Sequence, residues 1–316
     1  MAWDTQAVTK PPPWTAERTV DAARAAELVG RAFPHLRDRP VVRLAEGWDN
    51  TVHVVDGVWA FRFPRRAIAV PAIRRQLLVL PRIATLLPLP IPVPELVATD
   101  DDPLDPWPFA GSRLLPGREL ADAALSPEDR VPAAAAVGVF LRVLHAPAAR
   151  AALGPDLVLP IDPLRRGWPR ALIQNTREVL DQLVADEIWD RDPAVEALLA
   201  EAERLGPPAG DPVLVHGDLH VRHLLVDDAG AATGVIDWDD ACLGDPAIDL
   251  ALAYAAFSGP ARAALLTHYG PVDAEQELRA RHVAIRVSAF LASYAATTHR
   301  PALLAESRAA LRRAVR

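Results

Sequence analysis

The spacing of hydrophobic and polar positions alternates between helical and strand-like along the chain. Residues 15–33 place apolar side chains at helical spacing, and Pro34 ends that run. Residues 41–66 instead contain β-branched and aromatic runs on either side of the turns EGWDN and DG, which predicts hairpins. The segment AIRRQLLVLPRIATLL then predicts a second helix, with a kink at Pro81. The pattern therefore predicts a small β-sheet and two helices in the N-terminal part of the chain.

The C-terminal part is predominantly helical. Four prolines in LPLPIPVPEL predict an extended segment, and WPFAGSRLLPGREL predicts a last strand that leads into a connector. Beyond about residue 118 the spacing is helical, with one strand-like interruption at residues 213–240. We predict an α+β fold of two lobes, residues 1–115 with an N-terminal arm and helix, and residues 116–316. Ligand clefts tend to lie between such lobes.

The composition is that of a globular protein, with 51% hydrophobic and 24% charged residues among 316. No apolar run approaches the ~20 residues of a membrane span. The N-terminus lacks a basic segment followed by an apolar one, and the single cysteine, Cys242, cannot form an intrachain disulfide. These features predict a cytoplasmic protein without a membrane partner.

The charge is unevenly distributed between the two predicted lobes. Residues 1–115 hold 14 basic and 13 acidic residues, whereas residues 116–316 hold 20 basic and 28 acidic residues. A nucleic-acid partner is therefore not expected, because a phosphate backbone requires a basic face. Lys10 is the only lysine, so any other fixed cation that the chemistry needs has to be an arginine.

Residues 216–223 read HGDLHVRH and carry four titratable imidazole or carboxyl groups. These groups could simply satisfy backbone groups of a loop. Alternatively His216, Asp218 and His220 alternate, so on a strand they would share one face and could bind zinc. The zinc hypothesis also requires further ligands, and the other histidines are scattered singly along the chain.

A third hypothesis is phosphoryl transfer. The catalytic loop of kinases has the pattern H-x-D-x-x-x-x-N, in which the aspartate accepts the proton of the substrate hydroxyl and the last residue binds Mg²⁺. His216, Asp218 and His223 occupy those positions, with histidine in place of asparagine. A hairpin should follow and return a metal-binding aspartate, and LLVDDAGAATGVIDW supplies a strand, a turn, a strand and then Asp237.

The segment VHGDLHVRHLLVDDAGAATGVIDWDDACLGDPAIDLALAY, residues 215–254, resembles the signature of the aminoglycoside and macrolide phosphotransferase family. The segments EGWDNTVHVV, WAFRFPRR, LPLPIPVPEL and FAGSRLLPG resemble the N-lobe and hinge of that family in order. The resemblance implies a bilobal protein-kinase-like fold, with a β-rich nucleotide-binding lobe and a helical lobe that carries the catalytic loop and the acceptor site. It also implies ATP or GTP and Mg²⁺ as cofactors. The histidine at position 223 is similar to what macrolide phosphotransferases show.

The resemblance and the loop pattern together assign roles in the second lobe. Asp218 is the expected catalytic base, or at least the group that orients the substrate hydroxyl. Asp237 and His223 are the expected Mg²⁺ ligands, although His223 could instead donate a hydrogen bond to Asp237 or to a phosphate. The residues expected to support the loop and cap nearby amides are His216, Asp245 and Asp249. Possible acceptor contacts are His220, Asp239 and Asp240, and the two aspartates could equally form a solvated turn.

In the first lobe, EGWDNTVHVV is the expected phosphate-covering loop. Gly47 would permit close backbone approach, and Asn50 or Thr51 would donate to phosphate oxygens. Arg62 is the candidate for the cation that kinases place on their third strand. Its usual carboxylate partner is absent, because residues 57–94 contain no Asp or Glu, and Gln76 stands where we would look for it. The connector at residues 112–117 should present backbone to the adenine, with Ser112 and Leu114 among its residues.

The sequence thus predicts an enzyme that transfers the γ-phosphate of ATP or GTP to a hydroxyl of a small molecule, expected to be an antibiotic. The acidic second lobe favours an aminoglycoside, whereas His223 and the arginine in FRFPRR favour a macrolide. The alternatives are a kinase of choline, homoserine or a sugar, a nucleotide-binding pseudoenzyme, and a metal hydrolase. The sequence leaves the acceptor, the nucleotide preference and the oligomeric state open.

Overall fold

The computed structural model describes residues 16–47, 49–99 and 105–316. The predicted N-terminal arm, with PPPW and Lys10, lies outside these residues. The described residues divide into two units. The first comprises those of Met1–Leu77 and Val93–Leu114, and the second comprises Leu78–Pro92 and Leu115–Arg316.

The first unit is built on a five-stranded antiparallel sheet with the strand order β1-β2-β3-β5-β4. Its strands are β1 (Val41–Glu46), β2 (Asn50–Val55), β3 (Trp59–Pro64), β4 (Pro94–Ala98) and β5 (Phe109–Arg113). The proline-rich segment was predicted as extended only. It supplies β4 at the sheet edge, where a residue without an N–H is tolerated.

Helix α1 (Ala22–Ala32) accompanies this sheet and begins later than the predicted run at residue 15. The Asp21 carboxylate accepts a hydrogen bond of 2.8 Å from the N–H of Arg24, which caps the first turn and sets the start of the helix. The helix buries Ala25, Leu28 and Val29. The helix therefore covers only the later part of the predicted run.

The two faces of the sheet differ in chemistry because side chains alternate along each strand. One face carries Phe61, Phe63 and Phe109, which form a core with α1 and in which the last two rings stack at 4.8 Å. Gly111 lies across from Phe61, and a Cβ there would come within 2.6 Å of the phenyl ring. The absence of a side chain at Gly111 thus allows the aromatic core to close.

Helix α2 (Val70–Ile83) begins in the first unit and ends in the second, and Pro81 lies within it. Arg82 explains why its last turn belongs to the second unit. Its guanidinium donates to the Leu153 carbonyl and forms an ion pair of 2.6 Å with Asp156. Farther along, the Pro90 carbonyl accepts a hydrogen bond of 3.0 Å from the N–H of Val235.

The second unit is mostly helical, as predicted. Its helices are α3 (Val131–Leu144), α4 (Pro147–Ala152), α5 (Pro169–Ala185), α6 (Pro193–Ala202), α7 (Ala247–Ala255), α8 (Gly259–Tyr269), α9 (Ala274–Thr297) and α10 (Pro301–Ala314). Several of them have a proline in the first turn, where its missing N–H costs no intrahelical hydrogen bond. All nine residues of α7 are buried, so this helix forms the centre of the unit.

Five short strands interrupt these helices, namely β6 (Arg118–Glu119), β7 (Val213–Val215), β8 (Leu224–Val226), β9 (Ala232–Val235) and β10 (Cys242–Gly244). They form a three-stranded sheet in the order β6-β8-β9 and a two-stranded sheet of β10 and β7. The predicted α+β class is confirmed, with the larger sheet in the first unit and most helices in the second.

A buried ion cluster joins α10 to the start of α3. The carboxylate of Glu306 receives two hydrogen bonds from Arg130, of 2.7 and 2.8 Å, and a third from Arg313. Burial alone would raise the pKa of Glu306, but the two arginines outweigh that effect and lower it. Because this folded-state pKa lies below the unfolded value, the cluster stabilises the fold above about pH 4.5 and loses that contribution as the pH falls.

We therefore expect Glu306→Gln to lower the free energy of unfolding at pH 7 by about 2–3 kcal/mol, since charge-assisted hydrogen bonds are lost. The difference from the wild type should shrink as the pH falls below about 4.5, where the carboxylate is protonated first in the unfolded wild-type chain and only at lower pH in the folded one. Urea denaturation at several pH values measures both effects, with exposed Glu201→Gln on α6 as the control. A loss that stays the same at every pH would contradict this account.

Candidate active site

The histidine-rich loop, residues 216–223, connects β7 to β8, and a hairpin carries the chain back beside it. Leu224 on β8 pairs with Val235 on β9. The hairpin turn is closed by Asp227, whose carboxylate accepts from two backbone amides at 3.0 and 2.8 Å. The N–H of Ile236 then donates to the His223 carbonyl at 2.9 Å. This hydrogen bond places Asp237, the next residue, beside the end of the loop.

Asp249 on α7 holds the start of the loop through hydrogen bonds to its backbone. Its buried carboxylate accepts hydrogen bonds from the backbone N–H groups of His216 at 2.7 Å and Gly217 at 3.0 Å. It also accepts from Nε2 of His145, the residue that follows α3, at 3.2 Å. Burial would raise the pKa of Asp249, but these donors lower it on balance. The loop therefore rests on an ionised carboxylate within the protein interior.

His216 joins the loop to the returning hairpin. Its Nε2–H donates to the Ile236 carbonyl at 2.9 Å, and its Nδ1 accepts from the N–H of Asp218 at 3.2 Å. Burial lowers the pKa of His216, which fits a neutral ring with one donor and one acceptor nitrogen. Gly217 follows with φ of +89°, and a Cβ there would come within 2.3 Å of the Asp240 carbonyl. Only glycine fits this bend without displacing the neighbouring chain.

The carboxylate of Asp218 is partly exposed and contacts Arg166 on one side and His220 on the other. Its Oδ1 lies 3.3 Å from Nη2 of Arg166, and its Oδ2 lies 3.5 Å from Nε2 of His220. Burial would raise the pKa of Asp218, but His220 and Arg166 outweigh it and lower the pKa below its usual range. Burial and the adjacent His223 lower the pKa of His220 to about 4. Asp218 is thus a carboxylate and His220 a neutral imidazole near pH 7.

His223 lies between Asp218, the predicted catalytic base, and Asp237, a predicted metal ligand. Its Nδ1 donates to the Asp218 backbone carbonyl at 2.8 Å and lies 3.8 Å from the Asp218 Oδ2. Its Nε2 lies 3.3 Å from Oδ2 of Asp237, a half-exposed side chain on a residue with φ of +66°. Burial lowers the pKa of His223, but Asp237 more than offsets this and raises it. The Asp218 and Asp237 carboxylates therefore contact the same imidazole ring.

This arrangement fits a divalent cation held by Asp237 and His223. Because Nδ1 donates to a carbonyl, the neutral form of His223 has its lone pair on Nε2 beside the Asp237 carboxylate, where a cation would bind to both groups. A carboxylate oxygen and an imidazole nitrogen together suit Mg²⁺ or Mn²⁺.

The structure does not bring His216, Asp218 and His220 together as a zinc site. Both ring nitrogens of His216 already have hydrogen-bond partners, and the loop is not a strand. Within the described part of the chain, the group with metal-ligand spacing is Asp218, His220 and His223, whose ligand atoms lie within 4.8 Å of one another.

Arg166 contacts this loop directly and His145 contacts Asp249, which supports the loop, although the sequence assigned neither residue a role there. Arg166 pairs with Asp240 at 2.8 Å, so this aspartate has a partner within the chain, and its contact with an acceptor stays a prediction. Asp239 is half-buried beside it. Asp245 accepts from the N–H of Ala247 at 2.8 Å at the start of α7. No pattern in the sequence connects an isolated arginine or histidine to a loop more than 50 residues away.

In the first unit, the strand register places three of the predicted nucleotide-binding residues on one face of the sheet. Arg62 lies across from Val52 and Ala110, and the same face carries Asn50 and Ser112. Thr51 was predicted as an alternative phosphate donor, and this alternative is wrong. Because it alternates with Asn50 and pairs with Phe63, it is buried on the aromatic face. Gln76 is buried on α2.

The predicted phosphate loop around Gly47 is held by Arg65 and Arg66, which directly follow β3. Arg65 donates to the Gly47 carbonyl at 2.5 Å and pairs with Glu46 at 2.8 Å. Arg66 donates to the Asp49 carboxylate at 2.7 Å. At the other end of the sheet, the N–H of Leu114 donates to the Val58 carbonyl at 2.8 Å. Trp48 lies outside the described residues.

Comparison with known proteins gives three findings. The sequence profile of the phosphotransferase enzyme family matches residues 40–283. The GDP complex of aminoglycoside 2'-phosphotransferase-IIIa is similar in structure, with a TM-score of 0.66 and 21% identity over 94% of this chain and 99% of that chain. The apoenzyme of macrolide 2'-phosphotransferase MphH from Brachybacterium faecium has a TM-score of 0.56 and 24% identity over 90% and 97% of the two chains. These likenesses confirm the predicted kinase-like fold.

A curated relative in sequence is the uncharacterized protein YcbJ of Bacillus subtilis (strain 168), which is 45% identical over 56 residues. That match spans only 18% of either chain, so it carries no argument about the whole protein. Across the described residues, no helix is both long and apolar enough to cross a membrane.

Proposed function

Because the chain belongs to the phosphotransferase enzyme family, as predicted, we propose that it transfers the γ-phosphate of ATP or GTP to a hydroxyl group of a small molecule. We propose an antibiotic of the aminoglycoside or macrolide type as that acceptor, since solved structures of similar fold carry those names. The observation that carries the proposal is the placement of Asp218 and Asp237 against one imidazole, that of His223. A base for the acceptor and a ligand for the metal of the nucleotide would then act side by side.

Asp218 accepts the proton of the acceptor hydroxyl as the new oxygen–phosphorus bond forms and the bond between the γ-phosphorus and its bridging oxygen breaks, which releases ADP or GDP. Its lowered pKa is compatible with this role, because phosphoryl transfer passes through a loose transition state in which orientation counts for more than base strength. His220 and Arg166 hold its two oxygens from opposite sides. His216 and Asp249 act behind it by fixing the backbone of the loop.

Asp237 and His223 would hold the divalent cation, which would neutralise charge on the phosphates of the nucleotide. In the first unit, Arg62, Asn50 and Ser112 share a face and are the proposed nucleotide contacts, together with the backbone at Gly47 and Leu114. Arg62 takes the part of the usual lysine, and its planar guanidinium suits a phosphate group.

The direct test of this function is a search for a phosphorylated product. The purified protein is incubated with ATP or GTP, MgCl₂ and one compound from a panel of aminoglycosides, macrolides, choline, homoserine and simple sugars. Mass spectrometry should find the mass of one phosphate added to at least one antibiotic. Transfer to a metabolite alone would replace the antibiotic assignment, and nucleotide binding without transfer would indicate a pseudoenzyme.

The metal preference offers a separate prediction at His223. An imidazole nitrogen favours Mn²⁺ over Mg²⁺ more strongly than an amide oxygen does. We expect His223→Asn to lower the ratio of turnover with Mn²⁺ to turnover with Mg²⁺ by about tenfold, a size typical of changes around metal ligands. Steady-state kinetics in the two metals measure this ratio, with exposed His268→Asn as the control. An unchanged ratio would remove His223 from the metal site.

A further inference from the structure

Arg166 lies just before α5, in a segment whose backbone is hydrogen-bonded to β10. The N–H of Arg166 donates to the Asp162 carboxylate at 2.8 Å. Asp162 in turn donates its own N–H to the Leu243 carbonyl on β10 at 2.7 Å. The backbone of Arg166 is therefore held in place by contacts that do not involve its guanidinium group.

The guanidinium itself contacts three acceptors on two chain segments. Nη1 donates to the Gly217 carbonyl at 2.6 Å, and Nη2 pairs with Asp240 at 2.8 Å and with Asp218 at 3.3 Å. A guanidinium is planar and holds its donors in a rigid fork, so three such contacts restrict both the group and its partners. Arg166 thus joins the residue before Asp218, Asp218 itself and the segment that follows the hairpin.

We propose that Arg166 is a positioning residue for phosphoryl transfer, which holds the Asp218 carboxylate in the orientation that receives the hydroxyl proton. This inference rests on the proposed function. Asp218 Oδ2 faces His220, so Arg166 at Oδ1 supplies the second restraint that prevents rotation of the carboxylate. A displacement of about 1 Å in such a group can cost about 100-fold in rate.

A purely structural role would produce a different result from a positioning role. If Arg166 only supported the fold, its removal would reduce the amount of active enzyme, and a small cation could not restore the rate. If it orients Asp218, the folded variant should bind both substrates normally and turn them over slowly. A freely added guanidinium ion could then occupy the vacated space and restore part of the rate.

The test compares Arg166→Ala and Arg166→Lys with the wild type and with Arg170→Ala, which removes an exposed arginine from α5. The acceptor is kanamycin or erythromycin, whichever the wild type phosphorylates, or water if it accepts neither. We expect Arg166→Ala to lower kcat about 100-fold, with KM for nucleotide and acceptor within about threefold of the wild type. Guanidinium chloride at low millimolar concentration should raise its kcat in a saturable manner, and Arg166→Lys should retain intermediate activity.

Three outcomes separate this inference from the function on which it rests. Wild-type turnover together with unchanged kcat in Arg166→Ala overturns the positioning role alone. A folded Arg166→Ala that guanidinium does not rescue, while KM rises as steeply as kcat falls, also overturns it. No turnover by the wild type with any acceptor of the panel or with water overturns the proposed function, and the role of Arg166 falls with it.

Discussion

Replacing Asp218 with asparagine is expected to lower kcat by at least about 10³-fold, in the range found when a general base is removed. The amide is almost the same size as the carboxylate but cannot accept the hydroxyl proton. It would also weaken the contacts with Arg166 and His220, which favour a negative charge at this position. Product formation measures kcat, and calorimetric titration with the nucleotide measures binding.

Nucleotide affinity should persist in the Asp218→Asn variant, because the proposed nucleotide contacts are made by other residues. The matched control is Asp228→Asn, which removes an exposed carboxylate from the turn of the neighbouring hairpin. Its kcat should remain close to that of the wild type. Near-normal turnover in Asp218→Asn would end the assignment of Asp218 as the base.

Replacing Asp249 with alanine is expected to produce the largest loss of stability, about 3–5 kcal/mol in the free energy of unfolding. The change removes a buried carboxylate and leaves the backbone amides of His216 and Gly217 without their acceptor. It also leaves His145 buried without its partner. Turnover should fall as well, because these amides lie directly before Asp218 in the loop.

The pH dependence of stability provides a second measurement on Asp249. Its folded-state pKa is lowered, so its contribution is present above the unfolded value of about 3.9 and is lost as the pH falls below it. Urea denaturation of Asp249→Ala and wild type should therefore differ most near neutral pH and converge in acid. Asp211→Ala, an exposed position, should differ from the wild type by less than about 0.5 kcal/mol. A similarly small effect at Asp249 would contradict the proposed support of the loop.

Local sequence order predicted the part of the site that forms within one continuous segment. The loop, the hairpin and Asp237 follow one another along 22 residues, so their spacing alone indicates that the hairpin returns Asp237 to the loop. The family resemblance added the supporting roles of His216 and Asp249. The placement of His223 between two carboxylates follows from the hydrogen bond of Ile236 to the His223 carbonyl, which the sequence does not reveal.

Contacts between distant segments could not be predicted in the same way. Arg166 reaches Gly217 across 51 positions, and His145 reaches Asp249 across 104. The chain contains 33 arginines, so nothing in the sequence distinguishes Arg166 from the others. Tertiary packing decides which arginine meets which carboxylate, and no local periodicity encodes that pairing.

The orientation of Thr51 and the position of the end of α2 could not be predicted from local sequence patterns. A shift of one residue in strand register exchanges the two faces of a strand, so the choice between Asn50 and Thr51 needed the pairing with β3. Likewise, continuous helical spacing gave no sign that α2 passes from one unit to the other. That division reflects the contacts of Arg82 with Leu153 and Asp156.

The proposed function requires that Asp237 and His223 bind the metal and that Asp218 lie beside them at the acceptor hydroxyl. A crystal structure of the protein with a non-hydrolysable ATP or GTP analogue and Mn²⁺ tests it directly, since anomalous scattering locates the metal. We predict Mn²⁺ bonded to the Asp237 carboxylate and to Nε2 of His223, with the Asp218 carboxylate outside the coordination sphere. Mn²⁺ bonded instead to Asp218 and His220, or an absence of metal beside Asp237, would contradict the account.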